Sequence, residues 1–141
     1  MDDQIQSNIQ NICKEFVRDF QGFLSWQWED RFQTVLAVFN SSNKEYIHKI
    51  LNQHLTHSWD SSTITNSDEV TRDLIKKFNN LKDGQLLFTS DTKTDGFVFA
   101  LWWPWGSGEN ISIRIAPSFN EISKPDHLEM IRELKSWFQI T

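Results

Sequence analysis

What this chain lacks narrows its chemistry before any motif is read. It has one cysteine, Cys13, among 141 residues, which excludes an internal disulfide and any zinc motif built on cysteine pairs. Its longest apolar run, Phe97 to Trp105, is far short of the roughly 20 residues a membrane helix needs. Residues 1–20 carry neither the basic start nor the apolar core of a signal peptide. The expected compartment is therefore the cytoplasm, with no membrane partner. Gly-x-Ser-x-Gly, a phosphate loop and a dinucleotide fingerprint are all missing. Gly106-Ser-Gly108 is too short for a phosphate loop and has no helix after it. No catalytic residue and no cofactor is expected. An excess of positive charge is also missing: the net charge is −5, which argues against a nucleic-acid partner.

Aromatic surface is abundant instead. Seven tryptophans and eleven phenylalanines exclude a disordered chain, and the length suits one domain, 1–141, with its own core. The acidic charge sits in the first half. Residues 1–70 hold ten Asp/Glu against five Lys/Arg, whereas residues 71–141 hold nine of each. An acidic half suits a basic partner, although a solvated surface explains it as well.

Periodicity supplies the elements. Ile5, Ile9, Ile12, Phe16 and Phe20 recur at helical spacing behind Asp2 and Asp3, and Gly22 ends that helix. Leu24, Trp26 and Trp28 alternate as a strand, Glu29-Asp-Arg31 turns, and Phe32 to Phe39 reads as a second strand. Ser42 and Glu45 form a capping-box pattern before a helix carrying Ile47, Ile50, Leu51 and Leu55. Residues 57–67 read as loop. Ser67 opens a third helix with Leu74, Ile75 and Phe78, and Asp83-Gly84 stops it. Strands follow at about 85–90, 97–103 and 110–116, and Pro117 ends the sheet signal. Pro125 lies in the first turn of a last helix with Leu128, Ile131, Leu134, Trp137 and Phe138.

The expected fold is α+β: a mainly antiparallel sheet of about five strands with helices packed on one face. The halves 1–56 and 67–141 share the order helix, glycine, strand, turn, strand, helix, an αββα pseudo-repeat that an internal twofold would support.

Clusters with chemical potential are few. His54 and His57, with His48 and Asp60 nearby, are the only grouped metal-ligand types. However, His48 and His54 fall on different helix faces, and histidine near a helix C-terminus is favoured by the helix dipole. No metal is expected there. Asp91 to Gly96 begins like a calcium loop, but Lys93 and Trp102 occupy ligand positions; a hairpin turn accounts for it. Cys13 lies on an apolar helix stripe, where a buried thiol belongs.

Trp102, Trp103 and Trp105 are the leading binding candidates, because Pro104 cannot donate to a sheet ladder and marks a strand edge or end. Trp26 and Trp28 come next. Glu29, Asp30, Asp91 and Asp95 are the acidic candidates, two turn pairs that the pseudo-repeat would place comparably.

Within residues 73–91, Asp83, Gly84, Leu86, Leu87, Phe88, Ser90 and Asp91 resemble the opening of the cyanobacterial nuclease-A-inhibitor family. There a helix runs into Asp-Gly-Leu-Leu-Phe and a Ser-acidic pair. Gln85 is an insertion, and Asp95-Gly96-Phe97 replaces the Pro-Phe-Glu expected after it. The resemblance implies a protein inhibitor and carries over no functional residue. The function expected from the sequence is thus protein binding, in its sharper form an inhibitor or immunity-type protein acting on a basic partner. Two alternatives stand beside it. One is a dimeric, secretion-chaperone-like protein that binds a client; the other is a small-molecule site or enzyme lined by aromatics near His54 and His57.

Overall fold

In the computed structural model, which describes residues 2–140, four helices pack on a six-stranded antiparallel sheet, an α+β fold. The helices are α1 (Asp3–Asp19), α2 (Lys44–His54), α3 (Glu69–Lys76) and α4 (Lys124–Trp137). The strands are β1 (Gln27–Glu29), β2 (Thr34–Asn40), β3 (His57–Trp59), β4 (Leu86–Thr89), β5 (Gly96–Trp105) and β6 (Asn110–Phe119), in the order β1-β2-β6-β5-β4-β3. No helix among the described residues is long and apolar enough to cross a membrane.

Local signals explain most boundaries. Asp2 caps α1, its carboxylate accepting from the amides of Gln4 and Ile5 at 2.8 and 3.1 Å. Ser123 caps α4, with Pro125 in the first turn. Two caps differ from expectation. Asp68, not Ser67, caps α3 by accepting from the Thr71 amide at 2.9 Å. The Ser42–Glu45 capping box does not form, because residues 41–43 make a 3-10 turn in which the Ser42 amide donates to Asn40 Oδ1 at 2.9 Å.

The sheet has one strand more than the expected five. His57 to Trp59, inside the stretch read as loop, pairs with β4 as an edge strand. Three residues are too few for a periodic signal, and their hydrogen bonds come from a partner thirty residues downstream. Pro117 does not end β6, which runs on to Phe119 with Pro117 opposite Val98. The β2 register ends at Val35 opposite Ile115, so Pro117 lies past the end of β2, where its missing N–H breaks no ladder bond.

The layers are unequal. On one face Val35, Ala37, Ile113, Ile115, Ala100 and Trp102 meet α1, α2 and α4 in the main core. The other face carries only α3 and the segment after it, where Phe78 packs on Phe99 and Trp103. Helices therefore cover both faces, three against one. The lone helix is eight residues long and leaves the Val38 and Trp105 end of its face open.

Gly96 shows how tightly the covered side is built. A Cβ there would stand 2.7 Å from the Phe119 ring and 2.8 Å from the Ile5 side chain, well inside contact distance. Gly96→Ala is expected to destabilise the fold by about 1–3 kcal/mol through overpacking, read as a lower urea midpoint at unchanged slope. A neutral effect would mean that α1 is not seated against β5 as described.

Candidate functional site

Successive residues of a strand point to opposite faces, so the adjacent tryptophans of β5 have different fates. Trp102 faces the helices. It is 6% exposed, with its ring edge-on to Phe39 and His48 at centroid distances of 5.4 and 5.6 Å. This corrects its place among the binding candidates: Trp102 is a core side chain and presents no surface to a partner. Trp103 faces the opposite way, onto the half of the sheet that α3 leaves open.

There it meets Arg114, from the middle of β6 and directly on the same face. The guanidinium carbon lies 4.3 Å from the Trp103 ring centroid and 5.7 Å from that of Phe32, which the β1–β2 turn folds over the sheet. Arg114 Nη1 donates to Ser112 Oγ at 3.2 Å, and Glu29 Oε1 lies 3.7 Å from Nε. Both partners are largely enclosed, 14% and 17% exposed. Burial pushes the Arg114 pKa below its ordinary value, with Glu29 pulling it back up. Two N–H groups here, Trp103 Nε1 and Arg114 Nε, are buried without a hydrogen-bond acceptor in the protein.

These residues line a cleft of about 480 Å³ rimmed by Lys76, Lys77 and Lys82. It continues into a second cleft of about 390 Å³ along Leu36, Val38 and Trp105. Trp105 and Val38 are 50% and 46% exposed. The strand edge is open there, because β4 pairs with β5 only as far as Leu86 opposite Trp102. Along both clefts Glu29 is the single carboxylate among the described lining residues, facing five cations.

The other sequence candidates lie elsewhere. Trp26 and Trp28 are on the covered face, Trp26 edge-on to Phe138 just past α4 at 4.9 Å and Trp28 under the Lys135 ammonium at 4.7 Å. Asp30 accepts from Trp28 Nε1 at 2.9 Å. Glu29 joins the site, but as the counter-ion of Arg114. Asp91, which accepts from the Lys93 amide at 2.9 Å, and Asp95 occupy the β4–β5 turn at the far end of β5. The ten residues of that strand put roughly 30 Å between them and Trp105. The Asp91–Asp95 turn and the exposed tryptophans do not form one contact surface.

The three nearby histidines are separated too. His48 packs on Phe88 and Trp102, and His57 is exposed on edge strand β3. His54 bridges two α1 carboxylates, Asp19 Oδ2 at 2.6 Å and Glu15 Oε2 at 2.9 Å. The hydrogen bond from His54, opposed by burial and helped by Arg18, holds the Asp19 carboxyl below its usual value. A depressed folded-state pKa contributes stability above the unfolded value that is lost as pH falls through the folded one. Asp19→Asn should therefore be less stable than the native chain near neutrality, with the gap closing below about pH 4. Urea unfolding at the two pH values checks this, and a gap independent of pH would exclude the linkage. Cys13 is fully buried, and burial pushes its thiol pKa up, keeping it protonated and unreactive.

Arg114 and the Lys76–Lys77–Lys82 rim escaped the sequence reading, although one signal pointed to the first. A lone arginine within Ile111-Ser-Ile-Arg-Ile-Ala116 puts a charge on one face of a strand that is otherwise apolar, which marks that face as incompletely covered. Nothing in the sequence shows that Lys76, Lys77 and Lys82 lie above it.

No protein-family model, curated protein or solved structure matches this chain. The nuclease-A-inhibitor resemblance thus rests on residues 73–91 alone.

Proposed function

We propose that this chain is a protein-binding module that takes an acidic segment of its partner along the open half of the sheet. Trp103 and Trp105 anchor the contact, and Arg114 with Lys76, Lys77 and Lys82 supplies the charge. The observation that carries this reading is the charge of the clefts: five cations and one carboxylate around exposed tryptophan, in a chain whose net charge is −5. Such a local reversal draws anionic groups to a site while the rest of the surface repels them. Tryptophan and arginine are also the side chains most often found to dominate binding energy.

The expected partner chemistry is thereby inverted. An inhibitor or immunity-type role would fit this face only against a partner with an acidic contact surface, since Glu29 is taken up by Arg114 and the Asp91–Asp95 turn lies at the other end of β5. A symmetric dimer through this face is disfavoured, because a twofold contact would bring the lysines and arginines onto their own copies.

Fluorotryptophan labelling with fluorine NMR tests the reading, because each of the seven tryptophans gives its own resonance. Asp/Glu-rich peptides carrying an aromatic residue should move the Trp103 and Trp105 signals, leave Trp102 in place, and lose their effect with added salt. If Lys/Arg-rich peptides of equal length move them instead, the partner is basic and this reading is wrong. Signals that move with protein concentration alone would point to self-association.

A further inference from the structure

Beyond the wall formed by Phe32 and Phe78, whose ring centroids are 4.8 Å apart, the same sheet face holds another cleft of about 460 Å³. That volume is within the range of small-molecule sites, roughly 300–1,000 Å³. Its floor is apolar, made by Phe99 and Ala116 of the sheet with Phe119 and Ile122 at one end. Its polar groups are Arg31, Lys77, His127 and Gln33, with Ser118 on the strand, and none of the described lining residues is Asp or Glu.

One wall is held in an uncommon conformation. Gln33 has a φ of 57°, a left-handed geometry that non-glycine residues seldom adopt and that clusters at functional positions. Its side-chain oxygen is 2.8 Å from His127 Nε2, which ties the β1–β2 turn to the start of α4 across the cleft. Arg31 lies with its guanidinium 4.9 Å from the Phe32 ring centroid, at the border between the apolar floor and solvent.

We propose that this cleft binds a small amphipathic carboxylate, its apolar body on Phe99 and Ala116 and its carboxylate at the mouth with Arg31 and Lys77. An apolar floor alone would accept any hydrocarbon. The cationic mouth and the missing carboxylates select an anion, and a guanidinium matches the two oxygens of a carboxylate. This inference does not rest on the protein-binding reading: the two clefts share Arg31 and Lys77 at their rims, but the apolar floor on Phe99 and Ala116 lies across the Phe32–Phe78 wall from Trp103, so filling that floor leaves the tryptophan site in place.

The test is an amide-resolved NMR titration of the full chain with octanoate and, in parallel, with octanol, each up to about 2 mM. Octanoate should give saturable shifts confined to the neighbourhood of Phe99, Ala116, Ser118 and His127. Octanol should bind at least about tenfold more weakly, since it leaves the cations unpaired. Ser118→Trp, which fills the cleft from the sheet side, should abolish the octanoate shifts while acidic peptides still move the Trp103 signal. Equal binding of octanoate and octanol would overturn the proposal, as would no saturable shift in the native chain, or shifts centred on Trp103 and Trp105. The comparison of the two ligands on the native chain decides the matter even if Ser118→Trp does not fold.

Discussion

Trp102→Ala is expected to destabilise the protein by about 3–5 kcal/mol, the usual loss for truncating a buried tryptophan or phenylalanine to alanine. The ring lies between the sheet and α2, against Phe39, Phe88 and His48, and its removal leaves a cavity that three aromatic neighbours cannot readily close. A single domain of this size typically has a net stability of about 5–15 kcal/mol, so the variant would sit near the edge of folding at room temperature. Trp102→Phe keeps part of the volume and should lose clearly less. Urea unfolding followed by circular dichroism checks both. Stability changed by less than about 1 kcal/mol in Trp102→Ala would mean that the side chain is not enclosed, and the two-face assignment of β5 would fall with it.

One residue further on, the expected effect moves from stability to binding. Trp103→Ala combined with Trp105→Ala should weaken an acidic peptide or protein partner by at least about 2 kcal/mol, close to thirtyfold in affinity. The fold should remain cooperative. Trp105 is half exposed, and its truncation alone should change stability by no more than about 0.5 kcal/mol. Trp103 is more enclosed, and its loss also removes the ring against which Arg114 is stacked, so the double variant should be measurably less stable while still folding. Isothermal titration with the acidic peptide that moves the fluorine signals provides the affinity, and the urea midpoint provides the stability. A double variant that unfolds would mean that these rings belong to the core, and unchanged affinity would remove them from the interface. Arg114→Met is a useful companion, since it keeps much of the stem packing and removes the charge. Lost affinity at near-native stability would show that the cation is read by the partner.

The contrast between the two neighbours shows why only part of the site could be read from the chain. Alternation in Phe97 to Trp105 separates Trp102 from Trp103 without any coordinates, but does not say which of the two is covered. That depends on where the helices pack. Periodicity predicts helices on one face of the sheet, yet α3 lies on the other, with Leu74 and Phe78 lining the open side. Its apolar stripe is as strong as that of α1, because a stripe reports that a helix has something to bury against and not which surface it meets. β3 was likewise hidden, since three residues at a sheet edge take their order from β4 and not from their own propensity. The acidic turns were recognised correctly as turns. The separation of Asp91 and Asp95 from Trp105 follows from strand direction, since β5 runs from the Asp95 turn at one end to Trp105 at the other.

The sequence by itself determined the local features of this protein: its four helices, most of its strands, the helix starts at Asp2 and Pro125, the turns at Gly22 and Gly84, and the α+β class. Those follow from short-range rules of period, cap and turn that act within a few residues. Only the tertiary structure decided which tryptophans are buried, that Arg114 stacks on Trp103 beneath a rim of lysines from the end of α3 and the segment after it, and that the exposed aromatic surface of an acidic chain is locally basic. Each of these depends on which face of the sheet a helix covers. That choice is made by packing between residues distant in sequence, where no local pattern carries the information.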